Sequence, residues 1–405
     1  MTPIPTEFLA AAPKADLHVH LDGSLRLATL IELARERGVA LPSADEEGLR
    51  ETVFKERYAN LGEYLRGFAY TCAVLRDAPA IERVAYELAV DSFAEGVRYV
   101  EPRFAPQLLI TEEMEMPAIL RAADRGLRRA TAEFNARPDV AGGGAPGYNY
   151  GIIVCALRMF RRNFSRYYHH LLDVQAFSPE KASFRVASVE MARAAVRIRD
   201  DDGLAIVGFD LAGQEYGYPA HDHAEAYGYA HRHFLNKTVH AGEAYGAESI
   251  FEAITDLHTD RVGHGYYLFD PAKIASAAIT DPEQYIRHLA EYIADRRITI
   301  EVCLTSNEQT NPELTSLADH PVRKMLAARL STVFCTDNRL VSRTSVTREL
   351  TRAVAEVGLD RRQLKDCIIH GFKRSFMPLT YLEKREYVRR VIDYYEALER
   401  QFGII

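Results

Sequence analysis

The residues with the most chemical promise close short apolar runs. Near the start, Asp16-Leu17-His18-Val19-His20-Leu21-Asp22-Gly23 sets two imidazoles two positions apart. In a β-strand those positions share a face, so both rings can reach one cation. The pair alone decides nothing. The 14 His of this 405-residue chain would give about 0.5 such pairs by chance. Three are present: His18/His20, His221/His223 and His231/His233.

Position separates the first pair from the others. Later apolar runs also end in polar residues: Asp210 with Gly213, His240-Ala241-Gly242-Glu243, Gly263-His264-Gly265, Thr305-Ser306-Asn307 and Thr336-Asp337-Asn338. Three neutral imidazoles, His18, His20 and His240, with the Asp337 carboxylate suit a borderline-soft cation. The simplest choice is one Zn²⁺ per chain, with a position left for water. Such an ion makes hydroxide available near neutral pH. Glu243, three residues past His240, is free to carry a proton and is the candidate general acid/base. His264 can orient the water or take its proton. Asp337 can ligate the ion and accept a hydrogen bond from the same water.

Each residue has a structural alternative. Glu243 could open a helix, where carboxylates are favoured. His264 could be a core histidine, and Asp337 a helix N-cap. Taken together, those readings leave the recurrence at run after run unexplained. The other two His pairs fall in a helical stretch, where i and i+2 do not face each other. They are expected to be solvated or supporting residues, and His169-His170 lacks ligand spacing.

The elements that must position these residues alternate along the chain. Strands are predicted at 15–20, 97–104, 150–157, 204–211, 237–240, 261–265, 298–303 and 332–336, with helices between them. The helices include 27–37, 61–76, 81–93, 113–136, 179–199 and 220–234, then 345–356, 360–370 and 381–402 towards the end. Residues 42–58 read as irregular, and 158–168 as a polar, arginine-bearing arm. Runs such as Ala205-Ile206-Val207-Gly208-Phe209 suit strands buried on both faces. The expected fold is therefore α/β: a single-domain (β/α)₈ TIM-type barrel over 1–405, with extra helices over the C-terminal face of the strands and at the C-terminus.

Composition narrows the partners. The chain is 47% hydrophobic with a formal net charge of -7. No basic stripe is visible, so neither nucleic acid nor a membrane is expected as a partner. Five widely spaced cysteines without a CxxC, and no signal-like N-terminus, predict a cytoplasmic protein with reduced thiols.

The ordered motifs resemble the adenosine deaminase family of the amidohydrolase superfamily. They are Lys14–Gly23, Phe209–Gly213, His240–Glu243, Arg261–Gly265, Glu301-Val302-Cys303 with Ser306-Asn307, and Thr336-Asp337. The resemblance spans almost the whole chain. It implies Zn²⁺-dependent hydrolytic removal of the 6-amino group of a purine nucleoside, adenosine or deoxyadenosine first. It implies His18, His20, His240 and Asp337 as ligands, and Glu243 as proton donor to purine N1. His264 would position and deprotonate the water, the Gly213 N–H would meet N3, and Asp22 would meet the ribose 5′-hydroxyl. Leu61, Tyr64 and Phe68 match an apolar lid. Asn338 stands where the best-known members carry an Asp towards N7. An Asn NH₂ donates there without any pKa shift.

Three alternatives remain open. The first is a related aminopurine, such as aminodeoxyfutalosine or adenine, with Arg339 and the 158–166 arm serving a charged substituent. The second is a non-catalytic metal-binding member. The third, a binuclear amidohydrolase with a bridging carboxylated Lys, is disfavoured because the fourth strand ends in Asp210-Leu211-Ala212-Gly213.

Overall fold

In the computed structural model, which describes residues 4–405, eight parallel strands follow one another around a barrel. They are β1 Lys14–His20, β2 Val97–Phe104, β3 Ile152–Leu157, β4 Ile206–Ala212, β5 Asn236–Ala241, β6 Arg261–His264, β7 Thr299–Val302 and β8 Ser331–Phe334. A two-residue strand, Asn149–Tyr150, precedes β3 and also pairs with β2. Every pairing is parallel, from Lys14↔Val97 on β1/β2 round to Val302↔Phe334 on β7/β8. Nearly every strand residue is buried, as expected of strands covered on both faces.

The last seam closes at the polar residues. Val19 bridges Asp337, the His20 N–H donates to the Asp337 carbonyl at 2.7 Å, and the Asp337 N–H donates to the His18 carbonyl at 2.7 Å. The first and last strands are thus joined by the backbone of the residues under suspicion.

Helices cover the outside. Glu180–Asp202 packs on β3 and β4, and Arg361–Arg374 on β8 and β1. The helices Arg361–Arg374 and Tyr381–Gln401 each open on a capping box, Asp360 with Gln363 and Thr380 with Glu383. The helices Ala78–Ala94 and Met116–Asn135 approach closely at Gly126, where a Cβ would lie 2.2 Å from the Glu82 carbonyl oxygen. Gly126→Ala should therefore lower stability by about 1–3 kcal/mol. The denaturation midpoint measures this, and an unchanged midpoint would mean the pair separates at little cost.

Several local expectations are corrected. Residues 42–58 include a helix, Glu46–Thr52, because the Asp45 side chain accepts from the Gly48 N–H. The predicted 61–76 helix is two helices, Leu61–Tyr64 and Gly67–Val74. Arg158 is no part of a polar arm: it is buried, and its guanidinium donates to the Tyr218 and His240 carbonyls, each at 2.6 Å. Of the His-rich stretch, His223 is a core residue with Nδ1 2.8 Å from Ser188 Oγ, while His221 is exposed beside Asp256. All five cysteines are free. Among the described residues no helix is long and apolar enough to cross a membrane.

Candidate active site

The strand ends bring the predicted ligands together. His18 Nδ1 lies 2.8 Å from Glu301 Oε2, and His240 Nδ1 lies 3.1 Å from Asp210 Oδ2. With those ring N–H groups donating to carboxylates, both Nε2 atoms are bare acceptors. His18 Nε2 is buried without a hydrogen-bond partner among the described residues. It stands 3.5 Å from Asp337 Oδ1, as does His20 Nε2. His20 Nε2 and His240 Nε2 face each other at 3.2 Å. Atoms of His18, His240, His264 and Asp337 all lie within 4.8 Å of one another.

That donor set fits a divalent cation. Under it, Arg103 pairs with Asp210 at 3.0 Å and Glu301 at 2.9 Å; Arg261 pairs with Glu301 at 2.7 Å and with Glu101. All five side chains are buried. Two guanidiniums face three carboxylates, and Asp337 adds a fourth. The buried excess of two negative charges is what a dication would offset. Burial alone would raise the Asp337 carboxyl, but His18, His264 and His20 outweigh it and hold it well below the usual range.

The fourth imidazole is oriented by a relay. The Val322 N–H donates to His320 Nδ1 at 3.0 Å, which leaves the His320 proton on Nε2, 3.2 Å from Asn307 Oδ1. Asn307 Nδ2 then donates to His264 Nδ1 at 3.2 Å. The network therefore assigns the His264 proton to Nε2, the atom 3.9 Å from Glu243 Oε1. Burial pushes the His264 pKa down to about 3, so the ring is neutral. Burial, with Asp337 and Glu215 adding, pushes the Glu243 carboxyl up to about 8. That shift favours the protonated form of Glu243 at neutral pH.

Two of these residues sit in left-handed backbone: His264 at φ 64° and Asp337 at φ 60°. Non-glycine residues there cost about 1–3 kcal/mol each and cluster at functional sites. Gly213, at φ 96°, occupies a turn that favours glycine.

One cavity of about 1140 Å³ joins the predicted residues. His20, Asp22, Gly213, His240, Glu243, His264, Asp337 and Asn338 line it, and Leu61, Tyr64 and Phe68 form a wall; His18 lies behind. Asp22 is buried with Oδ1 unpartnered among the described residues, and burial pushes its carboxyl up to about 7. Asn338 Nδ2 donates to Tyr64 Oη at 2.7 Å. Arg339 is not brought to the cavity; it is half-buried against Glu95 at 2.5 Å. That removes it from any role with a charged substituent. Arg161 and Arg166 do reach the cavity mouth, joined by Arg66 and Arg76.

The roles of Glu301, Asp210, Asn307 and Glu215 escaped sequence reading. A signal existed for the first two. Each is a lone carboxylate inside a continuously buried strand, and such a group demands a partner.

A barrel of parallel strands with an imidazole–carboxylate cluster at their carboxyl ends places the chain among (β/α)₈ proteins built to hold a metal-centred site there. The adenosine deaminase family profile matches residues 13–394. An adenosine deaminase of Mycobacterium sp. (strain KMS) is 35% identical over 379 residues, covering 93% of this chain and 94% of that one. An adenosine deaminase of Mycobacterium leprae is 35% identical over 386 residues, covering 93% and 94%. The chain belongs to the adenosine deaminase family. Among solved structures, an adenine deaminase from Arthrobacter aurescens superposes with a TM-score of 0.71 at 22% identity, covering 95% of this chain and all of that one. An amidohydrolase from Burkholderia ambifaria with bound Zn superposes at 0.76 and 19% identity, covering 100% and 97%. These two likenesses establish the barrel.

Proposed function

We propose that this enzyme hydrolyses the 6-amino group from a purine nucleoside, adenosine or deoxyadenosine first, releasing ammonia and the 6-oxo product. The observation that carries this reading is the Glu243 carboxyl, which faces the His–Asp cluster across one cavity, 3.9 Å from His264 Nε2, with its pKa pushed up by burial. His18, His20, His240 and Asp337 would hold Zn²⁺. When bound, the ion lowers the pKa of water to near 7.

The chain's own groups do the rest. His264 Nε2–H holds the attacking water by donation, so positioning is the role its tautomer favours. Asp337 accepts a hydrogen bond from that water. Glu243 donates its proton to purine N1 as C6 becomes tetrahedral, which removes the charge that addition would leave on the ring. The Gly213 N–H meets N3, Asp22 the 5′-hydroxyl, and Asn338 the N7 edge. Leu61, Tyr64 and Phe68 exclude water from the purine face.

Asn338→Ala is expected to raise KM about tenfold, the worth of one hydrogen bond to substrate, with metal content unchanged. Loss of metal in this variant would overturn the assignment of Asn338 to substrate.

A second reading has its own observation. The cavity exceeds the roughly 300–1,000 Å³ of ordinary ligand pockets, and its mouth carries Arg66, Arg76, Arg161 and Arg166. Those features favour a larger aminopurine nucleoside with an anionic substituent. Ammonia release from adenosine, deoxyadenosine, adenine and aminodeoxyfutalosine separates the two. No release from any of the four would overturn both.

A further inference from the structure

Glu215 is 1% exposed and belongs to the turn after β4, two residues beyond Gly213. Its carboxylate reaches across to the turn after β5. Oε1 accepts from the Gly242 N–H at 3.0 Å, and Oε2 from the N–H groups of Glu243 at 3.0 Å, Ala244 at 2.6 Å and Tyr245 at 3.1 Å. Ser249 Oγ donates to Oε1 at 2.6 Å. Successive backbone N–H groups in a turn make an anion-binding concavity, and here the chain fills it with its own carboxylate. Arg158 stands 4.0 Å from Glu215 Oε1 and donates to the His240 carbonyl. Tyr245 Oη accepts from the Gly217 N–H at 2.7 Å, tying the same two turns again.

We propose that Glu215 is a positioning residue for Glu243, fixing the spacing between the Gly213 turn and the proton-carrying carboxyl by seating its carboxylate in the 242–245 amide nest. The inference rests on the reading that Glu243 carries the proton to substrate. One purine would touch both turns at once, at N3 and at N1. The proton transfer therefore needs the two turns in register, and Glu215 is the side chain that bonds one turn to four amides of the other. Binding to the apolar wall depends on neither contact, while proton transfer depends on both. Loss of register should therefore lower kcat much more than it raises KM.

Glu215→Gln keeps the shape but turns an NH₂ towards the amide donors. On adenosine it should lower kcat about 100-fold, as displacement by about 1 Å does, with KM within about threefold and metal content unchanged. Glu215→Asp restores an acceptor-only group and should recover about tenfold of that loss. If Glu215→Gln fails to fold, Ser249→Ala carries the test, because it removes only the hydroxyl donor. It should lower kcat several-fold with KM unchanged. A fall in activity that tracks metal loss, a KM rising in step with the fall in kcat, an Asp variant no better than Gln, or an unchanged kcat in Ser249→Ala would each overturn the proposal. Glu243→Gln in parallel separates the two ideas. If it retains turnover, the Glu243 reading itself fails. If it is inactive while Glu215→Gln turns over normally, only the Glu215 inference fails.

Discussion

Glu243→Gln is expected to lose about 10²–10⁴-fold in kcat, the usual worth of a positioned general acid, while the metal stays bound. The amide matches the carboxyl in size and keeps the turn, but it has no acidic proton to give. The pH profile of the unaltered enzyme supplies a second measurement. A carboxyl raised to about 8 is protonated below that pH and loses its proton as pH rises through it. Since the acid form is the active one, kcat/KM should hold at neutral pH and fall on the alkaline side with a limb near 8. In Glu243→Gln the residual rate should lack that limb. Near-normal turnover, or an alkaline limb that survives the substitution, would remove Glu243 from its role.

The strand order was legible because each strand is a short apolar run closed by a residue that apolar packing does not explain. Val97–Phe104 matches the structure at both ends, and the other strands differ by one or two residues. The cluster of His18, His20, His240 and Asp337 was legible for the same reason. What the sequence hid depends on pairing between distant positions. Glu301 meets His18 across 283 residues, and Arg103 meets Asp210 across 107. No local pattern reports such a partner. Arg158 and Arg339 misled in the opposite direction. Arginine is usually exposed, but Arg158 is buried and Arg339 half-buried, because carbonyls or a carboxylate await them. The tautomer of His264 was likewise beyond reach, since it is fixed three residues removed, through Asn307 and His320, by a backbone N–H at Val322.

Glu301→Ala should be the most damaging change outside the cavity, and its effect should divide into two measurable parts. The Glu301 carboxylate receives His18 Nδ1 at 2.8 Å, Arg103 at 2.9 Å and Arg261 at 2.7 Å, all fully buried. Burial alone would raise this carboxyl, yet Arg103 and Arg261 outweigh it and keep the group charged. Removing it takes one carboxylate from each buried guanidinium, leaving Arg103 to Asp210 and Arg261 to Glu101. Breaking a buried ion pair from one side costs about 3–5 kcal/mol, so the metal-free variant should lose about that much in denaturant unfolding. Separately, His18 loses the acceptor that fixes its Nδ1–H and aims Nε2 at the cluster. Metal affinity should then fall about 10–100-fold, the usual cost of losing such an orienting partner. Glu301→Gln separates the two parts. Its amide oxygen can still accept from His18, so metal affinity should be largely kept, while its NH₂ faces an arginine donor and the charge-assisted bonds from Arg103 and Arg261 are weakened, so stability still falls. Equal stability of the metal-free Ala variant and the unaltered protein would show that the arginines find other partners. The network under the cluster would then be packing rather than the charge frame on which the site stands.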